Sequence, residues 1–191
     1  HAQKALEAGV DGLILVASGA GGHAGRLSPF ALVGEVRKFF QGPIALSGSI
    51  ASGDAIFAAQ AMGADFAYIG SRWLATREAN TSEAYRQAIL ESSAGDVVYT
   101  DYFTGVHGNY LKKSIIKAGL DPENLPEGDK KVMSFSSGGN SDAKVWRDIW
   151  GAGQGVGLMD DVPTVAEMTS RLRKEYLTAR ARVLGTDYPR G

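Results

Sequence analysis

Residues 12–24 read Gly-Leu-Ile-Leu-Val-Ala-Ser-Gly-Ala-Gly-Gly-His-Ala. The apolar run Leu13–Val16 passes into small residues, three glycines and a single histidine, His23. A short apolar run bounded by turn residues is the pattern of a buried strand. Glycines let a backbone turn sharply and come close to a ligand. His23 therefore falls just past the carboxyl end of a buried strand, where α/β proteins carry their chemistry. Taken alone, the stretch fits an ordinary strand-to-helix loop with an exposed histidine equally well.

The neighbouring segments repeat the arrangement. Residues 2–8 favour helix, and Gly9 is placed to stop it. After the glycine-rich loop, Ser28-Pro29 reads as an N-cap with proline at the first helical position. The helix that follows runs to about Phe40, with Leu32, Val33, Val36, Phe39 and Phe40 on one face. Residues 44–47, Ile-Ala-Leu-Ser, form a second strand and lead into the small-residue loop at 48–53. A helix over about 54–62 is stopped by Gly63, a third strand covers 66–69, and Gly70-Ser71-Arg72 is its loop. Ala8-Gly9-Val10-Asp11 is echoed by Met62-Gly63-Ala64-Asp65, each a helix end before an apolar strand. Strand, loop and helix in short alternation predict an α/β fold with parallel strands and right-handed crossovers.

Beyond Arg72 the rhythm changes. The sequence predicts a helix at about 82–92, an extended stretch over 97–103 and a turn at Thr104-Gly105. It further predicts a helix over 109–118 and a polar loop over 121–142. Thr164 and Glu167 form a capping box for a long last helix striped by Val165, Met168, Leu172, Tyr176, Ala179 and Val183. Two domains are expected: residues 1–92 as the strand–helix units, and 93–191 as a mostly helical and looped segment packing on or near them.

Composition narrows the function classes. The chain has 191 residues, 44% of them hydrophobic and 21% charged, as in a soluble globular chain. A net charge of −1 gives no electrostatic footprint for nucleic acid or an anionic membrane. Cysteine is absent, so disulfides and thiolate metal sites are excluded, and no residue spacing suggests a metal site. No apolar run is long enough to span a bilayer and no signal peptide opens the sequence, although residue 1 need not be the natural start. The cytoplasm is the expected compartment.

Ser47-Gly48-Ser49 and Gly70-Ser71-Arg72 sit at consecutive strand ends and suit a phosphate. Glycine admits it, serine adds a hydroxyl donor, and the next helix N-terminus adds partial positive charge. Arg72 is placed either to pair with that phosphate or to form a structural ion pair. A neutral His23 beside these loops could take a proton from a carbon acid. His107 reads as a surface or capping residue, and Ser18 and Ser28 have no relay that would make a nucleophile.

Gly19-Ala20-Gly21-Gly22-His23-Ala24-Gly25, residues 46–53 and residues 69–76 together resemble the nitronate monooxygenase family, formerly called 2-nitropropane dioxygenases. Residues 152–158, Ala-Gly-Gln-Gly-Val-Gly-Leu, are similar to a late segment of that family. The resemblance implies an FMN-dependent (β/α)₈ barrel, a TIM barrel, that oxidises alkyl nitronates and nitroalkanes with dioxygen. It implies that His23 is the general base beside the flavin and that Gly21 and Gly22 let the backbone pass close to it. Gly48 and Ser49, where the family more often has two glycines, match the first phosphate loop together with Ser47, and Ser49 would still offer its N–H. Gly70 and Ser71, where the family usually has threonine in place of serine, match the second. Gln154 would face the substrate. The same implication makes this chain the C-terminal portion of the barrel, about strands 6–8. Its open strand edges and inner face would be completed by an upstream segment or a partner chain; homo-oligomerisation stays open. Flavin-dependent enoyl-acyl carrier reductases carry a similar Gly-Gly-His loop and are the alternative enzyme reading. A non-catalytic phospho-ligand-binding fragment is the alternative outside enzymes.

Overall fold

The computed structural model describes residues 1–128 and 147–185. Helix α1 (Ala2–Glu7) ends at Gly9, whose φ of +84° is the left-handed turn expected of a glycine stop. Strand β1 (Leu13–Val16) follows, and the glycine loop carries a two-residue strand β2 (Gly22–His23). Helix α2 (Pro29–Arg37) starts at Ser28 with proline at its first turn. Strand β3 (Ile44–Ser47), helix α3 (Gly53–Ala61) and strand β4 (Phe66–Ala67) complete the repeated units.

Strands β1, β3 and β4 lie side by side in chain order and run parallel, with Leu15 opposite Leu46 and Leu46 opposite Ala67. The ladder extends past β4 through the Tyr68 N–H, which donates to the Leu46 carbonyl at 2.7 Å. One face of this sheet is the core: Leu13, Leu15, Ile44 and Leu46 pack against Val33 and Val36 of α2 and Ala59 of α3. The other face carries the rows Ile14–Ala45–Phe66 and Val16–Ser47–Tyr68. It is open: Ile14 is 57% exposed, Phe66 63% and Tyr68 55%. Asp65, ahead of β4, accepts from the Ile44 N–H at 2.8 Å and from Arg37 at 2.7 Å. These bonds hold its carboxyl below the usual range and tie the start of β3 to the start of β4.

Helices α4 (Ser71–Leu74) and α5 (Glu83–Leu90) lead to a second sheet. Strands β5 (Val97–Thr100) and β6 (Gly108–Leu111) pair antiparallel, and β2 adds to the far edge of β6, with His23 opposite Gly108. This corrects the helix expected over 109–118: the helix α6 (Lys112–Lys117) begins three residues later. Tyr110, Leu111, Ile115 and Ile116 mimic a helical stripe in sequence. In the fold, all four residues of β6 are buried, and its backbone groups are taken by β5, by β2 and by residues 150–152. Tertiary pairing overrides the local pattern. The segment after residue 92 therefore contributes strands as well as helices and loops.

The last helix, α7 (Val165–Leu184), begins at Thr164 with both halves of the capping box formed. Met168, Leu172 and Ala179 are buried, and Tyr176 meets Phe57 edge-on at 5.9 Å. Val165 and Val183, at the two ends of the stripe, are exposed. Residues 129–142 of the expected polar loop, and Trp146, lie outside the described residues. Among the described residues no helix is long and apolar enough to cross a membrane.

Candidate active site

The loops after β1, β3 and β4 converge at the carboxyl ends of the parallel strands. Between them lies a cleft of about 310 Å³. Gly21, Gly22, Ser47, Gly48, Ser49, Gly70 and Ser71 all line it, joined by Tyr68 and Tyr85. Among the described residues no charged side chain does. Gly21 and Gly48 are among the lining glycines that the packing requires. At Gly21 an added Cβ would lie 2.7 Å from the Gly153 nitrogen and from Ser71 Oγ. Gly48 has φ +146°, and its Cβ would lie 2.8 Å from the Ser18 carbonyl oxygen. Ser49 is held at φ +55°, left-handed backbone that a side chain rarely adopts. Its N–H donates to the Gly19 carbonyl at 3.2 Å, which corrects the expectation that Ser49 offers this N–H to a phosphate. Among the described residues no protein acceptor takes the N–H groups of Gly48, Gly70 or Ser71.

Ser71 is bound to more than its own loop. Its Oγ accepts the Gly153 N–H at 2.8 Å, which brings residues 151–155 across the glycine loop. The Gly19 carbonyl also accepts the Gln154 N–H at 2.9 Å. Gln154 thus meets the glycine loop through its backbone, and its Oε1 would lie 2.9 Å from a Cβ placed on Gly19. It is exposed and does not line the cleft. Arg72 turns away from the loops: its Nε lies 3.2 Å from Met168 Sδ and its Nη2 3.5 Å from Asp161. Of the two uses open to it in the sequence, the structure displays the structural one.

His23 sits on β2, next to the lining residue Gly22 and at the rim of the cleft; it is not part of the lining. Its Nε2 is 2.9 Å from Thr104 Oγ1. Partial burial disfavours the imidazolium and lowers the histidine pKa, so the ring is neutral near pH 7. A neutral imidazole can accept a proton. His107 is on the surface, stacked on Tyr99 at 4.8 Å and 3.9 Å from Asp101.

Sequence reasoning missed three residues that build this site. Tyr85 of α5 stacks on Trp150 at 5.2 Å, and its hydroxyl donates to the Gly151 carbonyl. Burial pushes its phenol up to about 12. Asn109 of β6 donates from Nδ2 to the Ala20 carbonyl at 2.7 Å, and its own carbonyl accepts the Ala152 N–H. Thr104 holds His23. The glycines around Gln154 were the signal for the segment that Tyr85 and Asn109 anchor; the anchors themselves carry none.

The family model described as nitronate monooxygenase matches residues 1–175. A nitronate monooxygenase of Paraburkholderia phytofirmans is 31% identical over 92% of this chain and 51% of its own length. Among solved structures, nitroalkane oxidase from Streptomyces ansochromogenes superposes with a TM-score of 0.75 at 23% identity, covering 95% of this chain and 56% of that one. FabK from Thermotoga maritima superposes at 0.72 and 22% identity, covering 96% and 60%. The likenesses to these two structures are likenesses of fold. The chain spans about half the length of the curated relatives it matches over most of its residues. With a family model matched over most of its residues and loop glycines arranged around one cleft, this chain belongs to the nitronate monooxygenase family.

Proposed function

We propose that the protein carrying this chain is an FMN-dependent oxidoreductase that oxidises alkyl nitronates and nitroalkanes with dioxygen. In this reading β1, β3 and β4 are three consecutive strands of a (β/α)₈ barrel, about strands 6–8. Their exposed face, with Ile14, Val16, Phe66 and Tyr68, is the barrel interior, covered by strands outside this chain. The observation that carries the proposal is the cleft. Two loops at consecutive strand ends line it, with the N–H groups of Gly48, Gly70 and Ser71 untaken and a neutral histidine at its rim.

The residues fit the phosphate end of FMN. Gly48 and Gly70 allow close approach, Ser47, Ser49 and Ser71 bring hydroxyls, and the untaken N–H groups supply neutral donors. The volume lies at the lower end of the range for small-molecule sites. Gly21 and Gly22 would face the flavin, and Gln154 is assigned to the substrate side. When bound, FMN supplies the redox chemistry between the nitronate and dioxygen. The protein's own step is proton transfer. His23 removes the proton from the carbon bearing the nitro group, and the negative charge passes to the nitro oxygens of the nitronate.

Two substrates separate this step from positioning. His23→Asn in the full-length protein should keep FMN and stability. Activity on neutral nitroalkanes should fall by about 10²–10⁴-fold, the usual contribution of a positioned base. Activity on preformed nitronates, which need no deprotonation, should fall far less. Equal losses on both substrates would remove the base assignment.

A further inference from the structure

We infer that Tyr85 is a positioning residue for the cleft: its hydroxyl pins the main chain at Gly151, and through residues 151–153 it holds the Ser71 hydroxyl as a donor to the anion that the cleft takes. This rests on the reading of the cleft as the FMN phosphate site and adds what aims one of its donors. Residues 150–154 cross the glycine loop as a strap. The Trp150 N–H donates to Ser114 Oγ at 3.0 Å, and the Trp150 carbonyl accepts the Leu111 N–H at 2.9 Å. The Ala152 N–H donates to the Asn109 carbonyl at 3.2 Å, and the Gln154 N–H to the Gly19 carbonyl at 2.9 Å. Between these ties stand two bonds made by side chains that line the cleft, Tyr85 to the Gly151 carbonyl and Ser71 to the Gly153 N–H.

The partners set the direction of both bonds. A carbonyl oxygen can only accept, so the Tyr85 phenol donates to Gly151. Burial pushes that phenol up to about 12, so it keeps its proton near neutral pH. A main-chain N–H can only donate, so the Gly153 N–H takes a lone pair of Ser71 Oγ at 2.8 Å. The Ser71 proton is left to give, and among the described residues no protein acceptor takes it. Because Ser71 lines the cleft, a phosphate oxygen bound there can accept that proton's hydrogen bond.

The strap fits closely against the loop. A Cβ on Gly153 would lie 2.5 Å from the Gly19 carbonyl oxygen, and one on Gly21 would lie 2.7 Å from Ser71 Oγ. Tyr85 is placed independently of its hydroxyl, because its ring stacks on Trp150 at 5.2 Å with the planes 12° apart. Tyr85→Phe therefore removes the bond to Gly151 and keeps the stack. Without the phenol the strap loosens at Gly151, and the Ser71 hydroxyl must be aimed as the anion binds. Ordering a donor during binding costs affinity that a preset donor keeps.

A double-mutant cycle on the full-length protein tests this, read as the dissociation constant for FMN by flavin fluorescence after the cofactor has been removed. Tyr85→Phe should weaken FMN binding about 3–10-fold, the loss of one hydrogen bond. Ser71→Ala should weaken it by more, since its bond is to a charged group. In Ser71→Ala the hydroxyl that Tyr85 aims is gone, so adding Tyr85→Phe should change the affinity by less than about twofold. A Tyr85 that merely supports the fold would weaken FMN binding equally in both backgrounds. Additive losses, or an unchanged affinity in Tyr85→Phe, overturn the inference. If Tyr85→Phe does not fold, amide exchange in the unsubstituted protein decides. The Gly153 N–H should be as well protected without FMN as with it, and protection that arises only with FMN overturns the inference. Full-length protein that takes up no FMN is a separate failure: it removes the reading of the cleft, and this role of Tyr85 with it.

Discussion

His23 is a half-buried imidazole, and its pH behaviour follows from that. Burial disfavours the charged form, so its pKa lies below the ordinary 6.5. A base must be neutral to act. Its competence is complete above its pKa and lost as pH falls through it. The acid limb of kcat/KM on a neutral nitroalkane should therefore lie below pH 6.5. A limb at or above that value would contradict the environment described for the ring. Stability has the same sign, because the unfolded chain binds this proton more readily than the folded one, so acid weakens the fold through this group. His23 was legible in sequence because a lone histidine at the end of an apolar run and a glycine string is a local pattern. Thr104 and Tyr85 were not. Thr104 meets His23 across 81 positions and Tyr85 meets Gly151 across 66, and no local spacing records a contact of that range.

Elements divide in the same way. The parallel strands could be read from the sequence because each is a short apolar run closed by glycine, with a helix of suitable length between. Strand β6 could not, because its partners β5 and β2 lie outside any local window, and Tyr110 and Leu111 join Ile115 in a false helical stripe. The crossing of α3 and α7 is also long-range, and Gly53 is its contact point. A Cβ there would stand 2.2 Å from the Tyr176 nitrogen and 2.4 Å from the Leu172 carbonyl oxygen. Both are backbone atoms of a packed helix and cannot yield singly. The Gly53 N–H also donates to Glu175 at 2.7 Å. Gly53→Ala should therefore destabilise the full-length protein by about 1–3 kcal/mol, the usual cost of overpacking. Helix propensity alone predicts a gain, since alanine is the better helix former. Urea unfolding distinguishes the two: an unchanged or raised midpoint would mean that α7 does not sit on α3 as described.

At the scale of the whole molecule, the parallel sheet is covered on one face by α2 and α3 and exposes apolar rows on the other. All-parallel sheets of α/β proteins carry cover on both faces, and in the proposed reading strands outside this chain supply it here. Its carboxyl edge carries the cleft, and the central claim is that the cleft holds the phosphate of FMN. Gly70 gives that claim a clean probe. It lines the cleft, and an added Cβ would meet nothing within 4 Å, so a larger side chain can be placed there with little effect on the fold. The decisive measurement is the visible spectrum of the purified full-length protein, with identification of the cofactor it releases, beside Gly70→Val. The account predicts a flavin spectrum with one FMN per chain, and a folded Gly70→Val variant that binds it far more weakly. A colourless protein that takes up no FMN, or a Gly70→Val variant that keeps its FMN undiminished, would contradict it.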